Sequence, residues 1–292
     1  MARILVFTAT YNEADNIEAL IEGIRRYVAD ADILVVDDAS PDGTGDLLDR
    51  LAEREKKLHV VHRPGKLGLG TAHLFAMQFA ILHDYDILIT MDADFSHNPQ
   101  YLPTLLKLME ENDFVIGSRY ISGGRCDYGF VRTLVSRTAN TLVHLLLNIP
   151  THETTTSYRG FRVSLLKRMD LNSLRSEGYS FFMESIFLVH RATKKMAEFP
   201  IHFEDRRAGQ SKISKREIIK AMLNLLRVAF RRCFVLPWSG NHRHAEHPLA
   251  VTGCKHCQSP HSMELARNET LTRRKCLHCG YLFDQKMKME IA

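Results

Sequence analysis

The sequence lacks the features of a membrane-spanning or exported chain. No stretch reaches the roughly 18 uncharged apolar residues that a spanning helix needs, and MARILVFTATYNEADN meets polar and acidic positions too early for a signal peptide. Only six cysteines occur in 292 residues, and four of them form two Cys-x-x-Cys pairs. Since so few cysteines make a poor disulfide framework, we expect a reducing, cytosolic compartment and a bound metal.

Positive charge is scarce in the first 212 residues, which carry 25 Lys and Arg against 28 Asp and Glu. Residues 213–292 carry 14 against 6, so they account for the net charge of +5. Any basic surface that faces a partner is therefore expected in the C-terminal part. The length and the 45% apolar content suit one large domain or a domain with an appendage.

Short apolar runs rich in β-branched residues predict strands. They are RILVFTAT, DILVVDD, LHVVHR, YDILITMD and DFVIGSRY. Helical patterns such as IEALIEGIRRYV alternate with them, which predicts an α/β fold with a mostly parallel sheet and helices on both faces. Further along, the apolar spacing predicts helices over 131–148 and 179–193, and MAEFPIHFEDR predicts a strand.

Polar side chains follow three of the predicted strands. They are Thr10, Tyr11, Asn12 and Glu13 after the first strand, Asp37 and Asp38 after the second, and Asp92 and Asp94 after the fourth. Ligands of open parallel sheets bind at the carboxyl ends of the strands. We therefore expect these three clusters at one edge of the sheet.

Asp92 and Asp94, one residue apart at a strand end, suit a divalent cation that holds a diphosphate. Carboxylate oxygens bind Mg²⁺ or Mn²⁺, and the remaining positions on the metal take phosphate oxygens. Taken alone, the same pattern fits a solvated loop. Asp37 and Asp38 fit carboxylates that hold ribose hydroxyls, or, with SPDGT after them, a turn and a helix cap.

Several longer motifs carry a resemblance to a known family. In chain order they are TYNE, RPGKLGLGTAH, MDADFSHNP, GSRYISGG, VRTLVSRTAN, TTSYRGFR and EDRRAGQSK. With them the sequence resembles the inverting nucleotide-sugar glycosyltransferases of family 2, and among these the dolichyl-phosphate and polyprenyl-phosphate mannosyltransferases. The resemblance covers residues 3 to about 232. It implies the GT-A (Rossmann-like) fold, a nucleotide-sugar donor and a polyprenyl-phosphate acceptor.

The resemblance also implies roles for individual residues. Nucleotide-sugar binding is expected from Tyr11, Glu13, Asp37, Asp38, Arg206 and Lys212, with Ser211 in the same basic loop. The Mg²⁺ or Mn²⁺ ligands are expected to be Asp92, Asp94 and Ser96, and the acceptor phosphate is expected at Arg119, Arg132 and Ser136. The catalytic candidates are Asp94, Arg119 and Arg132. Glu184 matches a recurring acid to which we assign no role.

The sequence departs from the family pattern at two positions. Ala9 stands where the family has proline before TYNE, and Glu153 stands where it has aspartate before the TSGFR-like segment. Each change is expected to shift the fine geometry of the site, and neither removes its chemistry.

The implied nucleophile needs no general base. A lipid monophosphate is already an anion near neutral pH, so it needs positioning more than deprotonation. Because arginine binds phosphate oxygens in a bidentate manner, Arg119 and Arg132 are expected to orient the acceptor. An isolated surface arginine would instead form only a weak ion pair. The metal and the basic loop are expected to neutralise the leaving diphosphate.

Residues 213–238 are predicted to form a basic amphipathic helix that follows a GT-A domain of residues 1–212. Its basic stripe consists of Arg216, Lys220, Arg227 and Arg231, and Pro237 and Gly240 end the helix. Two interpretations stay open. The helix lies on an anionic membrane surface, or it packs on its own core and leaves the basic face in solvent.

Residues 239–252 form a polar, His-rich predicted linker, and residues 253–292 a predicted zinc ribbon. Cys254, Cys257, Cys276 and Cys279 have the spacing of a closed four-thiolate structural Zn²⁺ site. The alternative is four reduced structural cysteines. Such ribbons bind proteins or nucleic acid, so a protein partner is considered. A nucleic-acid-binding protein with a degenerate enzymatic domain is disfavoured because the transferase motifs are intact.

These observations lead to one functional hypothesis. It is the inverting, metal-dependent transfer of mannose from GDP-mannose to dolichyl or polyprenyl phosphate by an enzyme peripheral to the cytoplasmic face of a membrane. The alternatives are transfer of glucose or another sugar from a UDP-sugar to polyprenyl phosphate, and transfer to a polysaccharide, which has no need of Arg119 and Arg132.

Overall fold

The computed structural model describes residues 2–127, 129–174, 178, 180–204, 225 and 229, and the strand segments 262–267, 271–276 and 282–286. The strands are β1 Ile4–Thr10, β2 Asp32–Asp37, β3 Leu58–His62, β4 Ile87–Thr90, β5 Phe114–Ser118, β6 Arg125–Cys126, β7 Arg159–Arg162, β8 Met196–Pro200, β9 His202–Phe203, β10 Ser262–Arg267, β11 Leu271–Cys276 and β12 Leu282–Lys286. The α-helices are α1 Ile17–Tyr27, α2 Thr44–Arg54, α3 Leu69–Leu82, α4 Leu102–Met109, α5 Phe130–Leu147, α6 Val163–Arg168 and α7 Ser180–Ala192. Short 3₁₀ turns cover Pro99–Tyr101 and Leu171–Ser173.

The main sheet has seven strands in the order β3-β2-β1-β4-β7-β5-β8. All neighbouring pairs are parallel except those of β7, which runs antiparallel to β4 and β5. The five strands predicted up to DFVIGSRY are confirmed as β1–β5, and the two predicted helices as α5 and α7. Strand β7 was not predicted, and MAEFPIHFEDR contains two strands, β8 and β9, of which β9 pairs with β6 in a separate small sheet.

Both faces of the sheet are covered, as predicted. Along β1, Leu5 and Phe7 belong to one core cluster with residues of α3, α6 and α7, while Val6 belongs to a second cluster with residues of α1, α2 and α4. This alternation follows from the two-residue period of a strand. At Gly160 in β7, an added Cβ would lie 2.7 Å from a Leu105 side-chain carbon, so glycine permits the close approach of α4.

The predicted polar clusters lie at one edge of the sheet. Thr10, the last residue of β1, pairs with Asp37 of β2, and β4 lies on the other side of β1. Because β7 is antiparallel, it begins at this same edge, where Arg159 pairs with Thr90 of β4 and Ile116 of β5. The carboxyl ends of β1, β2, β4 and β5 therefore meet the segment that precedes β7.

The C-terminal predictions lie largely outside the described residues. Leu225 and Ala229 are helical, and Leu225 is buried in the core cluster against which Ala229 packs. Strands β10–β12 form an antiparallel sheet, and Cys276 ends β11, whereas Cys254, Cys257 and Cys279 lie outside the description. The zinc site remains a prediction. Within the described residues, no helix has the length and apolar character needed to cross a membrane.

A buried histidine in α3 gives the fold a pH dependence. The His73 ring packs edge-on against Phe7 and Phe182, with centroids 5.0 Å apart in both cases. Burial, assisted by the positive charges of Arg159 and Arg63, lowers the pKa of His73 to about 3. The unfolded chain binds this proton near pH 6.5, so the free energy of unfolding decreases as pH falls below that value.

The variant His73→Phe is expected to lose this contribution. Between about pH 6.5 and pH 5, the unfolding free energy of the wild type should fall by about 2 kcal/mol more than that of the variant, because roughly 1.4 kcal/mol is lost per pH unit. Urea denaturation at the two pH values measures the difference, with His144→Phe, on the exposed face of α5, as the control. Equal losses in wild type and variant would contradict a neutral buried His73.

Candidate active site

The loops after β1 and β2 are held together by hydrogen bonds around Asp37. The Thr10 hydroxyl donates to Asp37 Oδ1 at 2.9 Å, and the Ser40 amide donates to Asp37 Oδ2 at 3.0 Å. The Asn12 amide in turn donates to the Ser40 hydroxyl at 3.0 Å. Asn12 and Ala39 have positive φ angles of 61° and 56°, which non-glycine residues rarely adopt. The bonds around Asp37 hold these two turns, which fits the supporting role predicted for Asp37.

Asp38 lies at the same edge and forms a buried ion pair with Arg63 Nε. The other guanidinium nitrogens of Arg63 donate to the Thr71 hydroxyl at 2.7 Å and to the Gly68 carbonyl at 3.2 Å. Arg63 thus fixes Asp38 and the RPGKLGLG segment against each other. The motif RPGKLGLGTAH contains Arg63, but its local sequence indicates no role for Arg63, because the pairing joins two strand ends.

Tyr11 is partly exposed beside this segment. The Lys66 ammonium lies 4.2 Å from the centre of the Tyr11 ring, a cation–π contact. The Glu13 main-chain amide donates to the Thr44 hydroxyl at 3.0 Å, and the Glu13 carboxylate accepts from the Asn16 side-chain amide at 2.8 Å. The structure therefore places Tyr11 and Glu13 next to Asp37 and Asp38, and adds Lys66 to the candidate residues.

The loop after β4 carries the two aspartates predicted to bind metal. Asp94 Oδ1 accepts hydrogen bonds from the Ser96 amide at 3.1 Å and the Ser96 hydroxyl at 2.6 Å. Asp92 Oδ1 accepts from the Ser157 hydroxyl, and the Asp92 side chain is 29% exposed. Phe95, which lies between Asp94 and Ser96 in the chain, has a positive φ of 62°. Ser96 thus supports Asp94, and its direct contact with a metal remains a prediction.

His97 connects this loop to the segment before β7. Its Nδ1 accepts a hydrogen bond from the Asp92 amide at 3.0 Å, so the ring proton is on Nε2, which donates to the Thr156 hydroxyl at 2.8 Å. Burial lowers the pKa of His97, although the charges of Asp92 and Asp94 act to raise it. The lowered pKa keeps the ring neutral. The motif MDADFSHNP contained this histidine, but its spacing assigned it no function.

Arg119, directly after β5, forms a buried bidentate pair with Glu153. Its Nε and Nη2 donate to the two carboxylate oxygens at 2.7 Å and 2.9 Å, and Nη2 also donates to the Thr155 hydroxyl at 2.9 Å. Burial raises the pKa of Glu153, but the Arg119 charge and the hydrogen bonds from Arg119 and Thr155 outweigh it and hold the pKa below its usual value. Glutamate at the position of the family's aspartate therefore still binds this arginine.

Ser136 on α5 is joined to the same strand end by Tyr120. The Tyr120 hydroxyl donates to the Ser136 hydroxyl at 2.6 Å, and burial raises the pKa of Tyr120. Arg132 precedes Ser136 by four residues in α5, so the two positions share one face of the helix. The Arg132 side chain lies outside the described residues.

Three further predicted residues, Arg206, Ser211 and Lys212, also lie outside the described residues. Glu184 is buried on α7, and the structure suggests no function for it beyond packing.

The site offers a metal two carboxylates. Among the described residues, no group of three or more His, Cys, Asp or Glu side chains converges as a metal cage. Asp92 and Asp94 nevertheless suit Mg²⁺ or Mn²⁺, because such cations commonly use one or two protein carboxylates together with substrate phosphates and water. The residues present thus fit a cation shared with a bound diphosphate.

Comparison with known proteins identifies the family. Residues 5–170, more than half of the chain, match the profile of Glycosyl transferase family 2. The chain belongs to this family. It is therefore a glycosyltransferase, and the sheet edge described above is its candidate active site.

Two relatives of this glycosyltransferase have specific names. Over 226 residues it is 37% identical to the Undecaprenyl-phosphate mannosyltransferase of Micrococcus luteus. The aligned region covers 77% of this chain and 93% of that relative. Over 226 residues it is 38% identical to the Polyprenol monophosphomannose synthase of Mycolicibacterium smegmatis. Here the aligned region covers 76% of this chain and 85% of that relative.

Solved structures show that the fold is GT-A. Glucosyl-3-phosphoglycerate synthase from Mycobacterium tuberculosis, crystallised with Mn²⁺, UDP-glucose and phosphoglyceric acid, superposes with a TM-score of 0.56 at 20% identity, covering 78% of this chain and 80% of that chain. At this identity the similarity establishes the fold alone. The predicted fold class is confirmed for the glycosyltransferase domain.

Proposed function

We propose that this glycosyltransferase transfers mannose from GDP-mannose to a polyprenyl phosphate, with inversion at the sugar and with Mg²⁺ or Mn²⁺. One observation carries the proposal: a single sheet edge places the paired carboxylates Asp92 and Asp94 next to a segment that also holds the buried guanidinium of Arg119. The names of the two mannosyltransferase relatives support the choice of sugar and acceptor.

The donor binds at the ends of β1, β2 and β4 in this proposal. Tyr11, Glu13 and Asp38 contact the nucleotide, and Asp37 holds their loops in place. Arg206 and Lys212, in the predicted basic loop, contact the diphosphate. Donor binding would bring the diphosphate to Asp92 and Asp94 because β4 is the neighbour of β1.

Asp92 and Asp94 hold the cation. When bound, the cation neutralises negative charge on the leaving diphosphate. The chain prepares these carboxylates before donor binding, since Ser96 fixes Asp94 and Ser157 fixes Asp92. Fixed ligands stabilise developing charge without reorganisation during the reaction.

Arg119, Arg132 and Ser136 orient the acceptor phosphate. Arg119 is restrained by Glu153, so its orientation is set before the acceptor arrives. Exposed leucines on α5, Leu134, Leu145 and Leu146, provide an apolar surface on the helix that carries Ser136. Such a surface fits an acceptor whose phosphate is attached to a long hydrocarbon chain.

The enzyme acts at the cytoplasmic face of a membrane in this proposal. Leu225 packs on the domain core, and in the predicted helix of residues 213–238 the stripe that contains Arg216 and Arg227 lies opposite Leu225. If residues 213–238 form that helix, a Leu225 packed on the core would direct the basic stripe away from the core, toward anionic lipid headgroups. Residues 253–292 form a separate zinc ribbon that offers a surface to a protein partner.

Transfer assays with a panel of donors test the proposal. Full-length protein is incubated with polyprenyl phosphate and with GDP-mannose, GDP-glucose, UDP-glucose or UDP-galactose, each with and without Mn²⁺, and the lipid product is quantified. We expect the highest kcat/KM with GDP-mannose and loss of turnover after chelation of the metal. Preference for UDP-glucose would contradict GDP-mannose as the donor. Turnover without a divalent cation would contradict the requirement for a metal.

Arg132→Ala is expected to impair use of the acceptor. The variant should raise the KM for polyprenyl phosphate at least about tenfold, because one charge-assisted phosphate contact contributes about 1.5–3 kcal/mol. The Kd for GDP, measured by calorimetry, should stay within about twofold of wild type, which corresponds to less than about 0.5 kcal/mol. Arg54→Ala, on the exposed end of α2, is the control. An equal loss of GDP affinity would show that Arg132 binds the donor.

A further inference from the structure

A continuous set of hydrogen bonds joins the two ends of the candidate active site. From the acceptor side, Arg119 binds Glu153, whose Oε1 also accepts from the Thr156 amide at 3.3 Å. The Thr156 hydroxyl contacts His97 Nε2 at 2.8 Å, and His97 Nδ1 accepts from the Asp92 amide at 3.0 Å. His97 crosses between the acceptor segment and the metal-binding loop, beside the direct bond from the Ser157 hydroxyl to Asp92 Oδ1.

The acceptor segment is itself rigidly held. The buried Arg159 guanidinium donates to the Thr154 and Thr156 carbonyls, both at 2.7 Å, and to the Ser185 hydroxyl at 2.9 Å. Asn140 Oδ1, from α5, accepts from the Thr154 amide at 2.8 Å. Three elements, β7, α7 and α5, therefore fix the main chain of the segment whose Thr156 hydroxyl contacts His97 Nε2.

The surroundings of His97 restrain its ring in one orientation. Tyr158 and Phe203 pack against the ring with centroids 5.1 Å and 5.3 Å away, and His97 is 1% exposed. Burial makes a partner necessary for each ring nitrogen, and here the partners belong to two different segments of the site. Nε2 donates to the Thr156 hydroxyl, whereas Nδ1 accepts from the Asp92 amide at 3.0 Å and lies 3.4 Å from the Ser157 hydroxyl.

We propose that His97 is a positioning residue that sets both halves of the active site, one through each ring nitrogen. Nδ1 holds the Asp92 main chain so that the Asp92 carboxylate keeps its orientation toward the divalent cation. Nε2 holds Thr156, and through Thr156 and Glu153 it holds Arg119 toward the acceptor phosphate. This inference rests on the proposed function for the acceptor half, whereas the cation half depends only on Asp92.

Two conservative variants separate the two halves. In His97→Asn the amide oxygen can replace Nδ1 as an acceptor, but the donor at Nε2 is lost. In His97→Gln the longer amide can replace the donor at Nε2, but the acceptor at Nδ1 is lost. His97→Ala removes both bonds.

The readouts are the Mn²⁺ dissociation constant of full-length protein with bound GDP, measured by electron paramagnetic resonance titration, and the KM for polyprenyl phosphate. For His97→Gln we expect the Mn²⁺ dissociation constant to rise about tenfold, since loss of a contact that orients a metal ligand typically costs 10–100-fold, with the KM nearly unchanged. For His97→Asn we expect the reverse: a raised KM and a nearly unchanged Mn²⁺ dissociation constant. His97→Ala should show both effects.

Other outcomes overturn the proposal. Equal impairment of both readouts in the Asn and Gln variants, with melting temperatures lowered to that of His97→Ala, would show a purely structural histidine. Unchanged readouts in all three variants would show that His97 positions neither half. If wild-type protein fails to use polyprenyl phosphate, the proposed function fails, while the Mn²⁺ titrations of His97→Gln against His97→Asn still decide the role of Nδ1.

Discussion

Asp94→Asn is expected to lower sugar transfer by at least about a thousandfold, which corresponds to about 4 kcal/mol of transition-state stabilisation. The amide keeps an oxygen that can accept from the Ser96 amide and hydroxyl, so the loop should retain its structure. What is lost is one negative charge toward the cation and, with it, neutralisation of the leaving diphosphate. Initial rates with GDP-mannose over a series of Mn²⁺ concentrations measure the effect.

The control for this prediction is Asp30→Asn, which changes an exposed carboxylate that pairs with Lys57 just before β2 and β3 begin, at the opposite ends of these strands from Asp37. Its rate should match wild type. Thermal denaturation of both variants checks that the fold is retained. Wild-type turnover by Asp94→Asn in Mg²⁺ or Mn²⁺ would exclude Asp94 as a metal ligand.

Arg119→Met is expected to lower both stability and transfer. Glu153 is fully buried, and removal of its guanidinium partner leaves an unpaired carboxylate, which typically costs about 3–5 kcal/mol. The acceptor phosphate would also lose a ligand, so the KM for polyprenyl phosphate should rise. In Arg119→Met/Glu153→Gln the neutral amide removes the buried charge, and we expect much of the stability to return without the activity.

The pH dependence of these variants has a defined sign. In wild type the pKa of Glu153 is held below its usual value, so the contribution of the Arg119 pair is present above about pH 4.5 and is lost as pH falls through the folded pKa. In Arg119→Met the charge and hydrogen bonds of Arg119 are gone, so burial outweighs the remaining Thr155 hydrogen bonds and raises the pKa of Glu153. The variant should therefore become less destabilised as pH falls toward about 5. Urea denaturation at about pH 7.5 and about pH 5 measures both trends. A pH-independent loss would contradict a charged, buried Glu153.

Much of the fold follows from local sequence pattern. Strands β1, β2, β4 and β5 were predictable because their apolar runs are buried on both faces, and the edge strand β3 because its run contains two adjacent valines. The helices between the strands were predictable because their apolar residues repeat with helical spacing. Strand β7 was missed because its four residues, Arg159–Arg162, contain a glycine and two arginines. Pairing with β4 and β5 on both sides makes this segment a strand, and such long-range pairing leaves no local signal.

The candidate site was predictable in its charged residues and not in their partners. Asp92 and Asp94 stand out because two acids end an apolar strand, and Asp37 and Asp38 do so for the same reason. Their partners Arg63, His97 and Ser157 come from other parts of the chain. Ser157 lies 65 positions from Asp92, so only the antiparallel placement of β7 brings the two together.

The role of Glu153 shows a related limit. Motif comparison marked it as a departure from the family pattern. The structure shows that its carboxylate accepts from two nitrogens of Arg119, which lies 34 positions away in the chain. No single-residue pattern can indicate such a long-range pairing.

The most direct test of the central claim is whether labelled mannose moves from GDP-mannose to lipid phosphate. Full-length protein with Mn²⁺, GDP-mannose and detergent-dispersed polyprenyl phosphate should produce a lipid-extractable mannosyl phosphodiester with inverted configuration, together with one GDP per mannose transferred. Reactions with the unphosphorylated polyprenol should produce none. Equal label transfer to polyprenol and polyprenyl phosphate, or label found only in a polysaccharide, would contradict the proposal that Arg119 and Arg132 orient an acceptor phosphate.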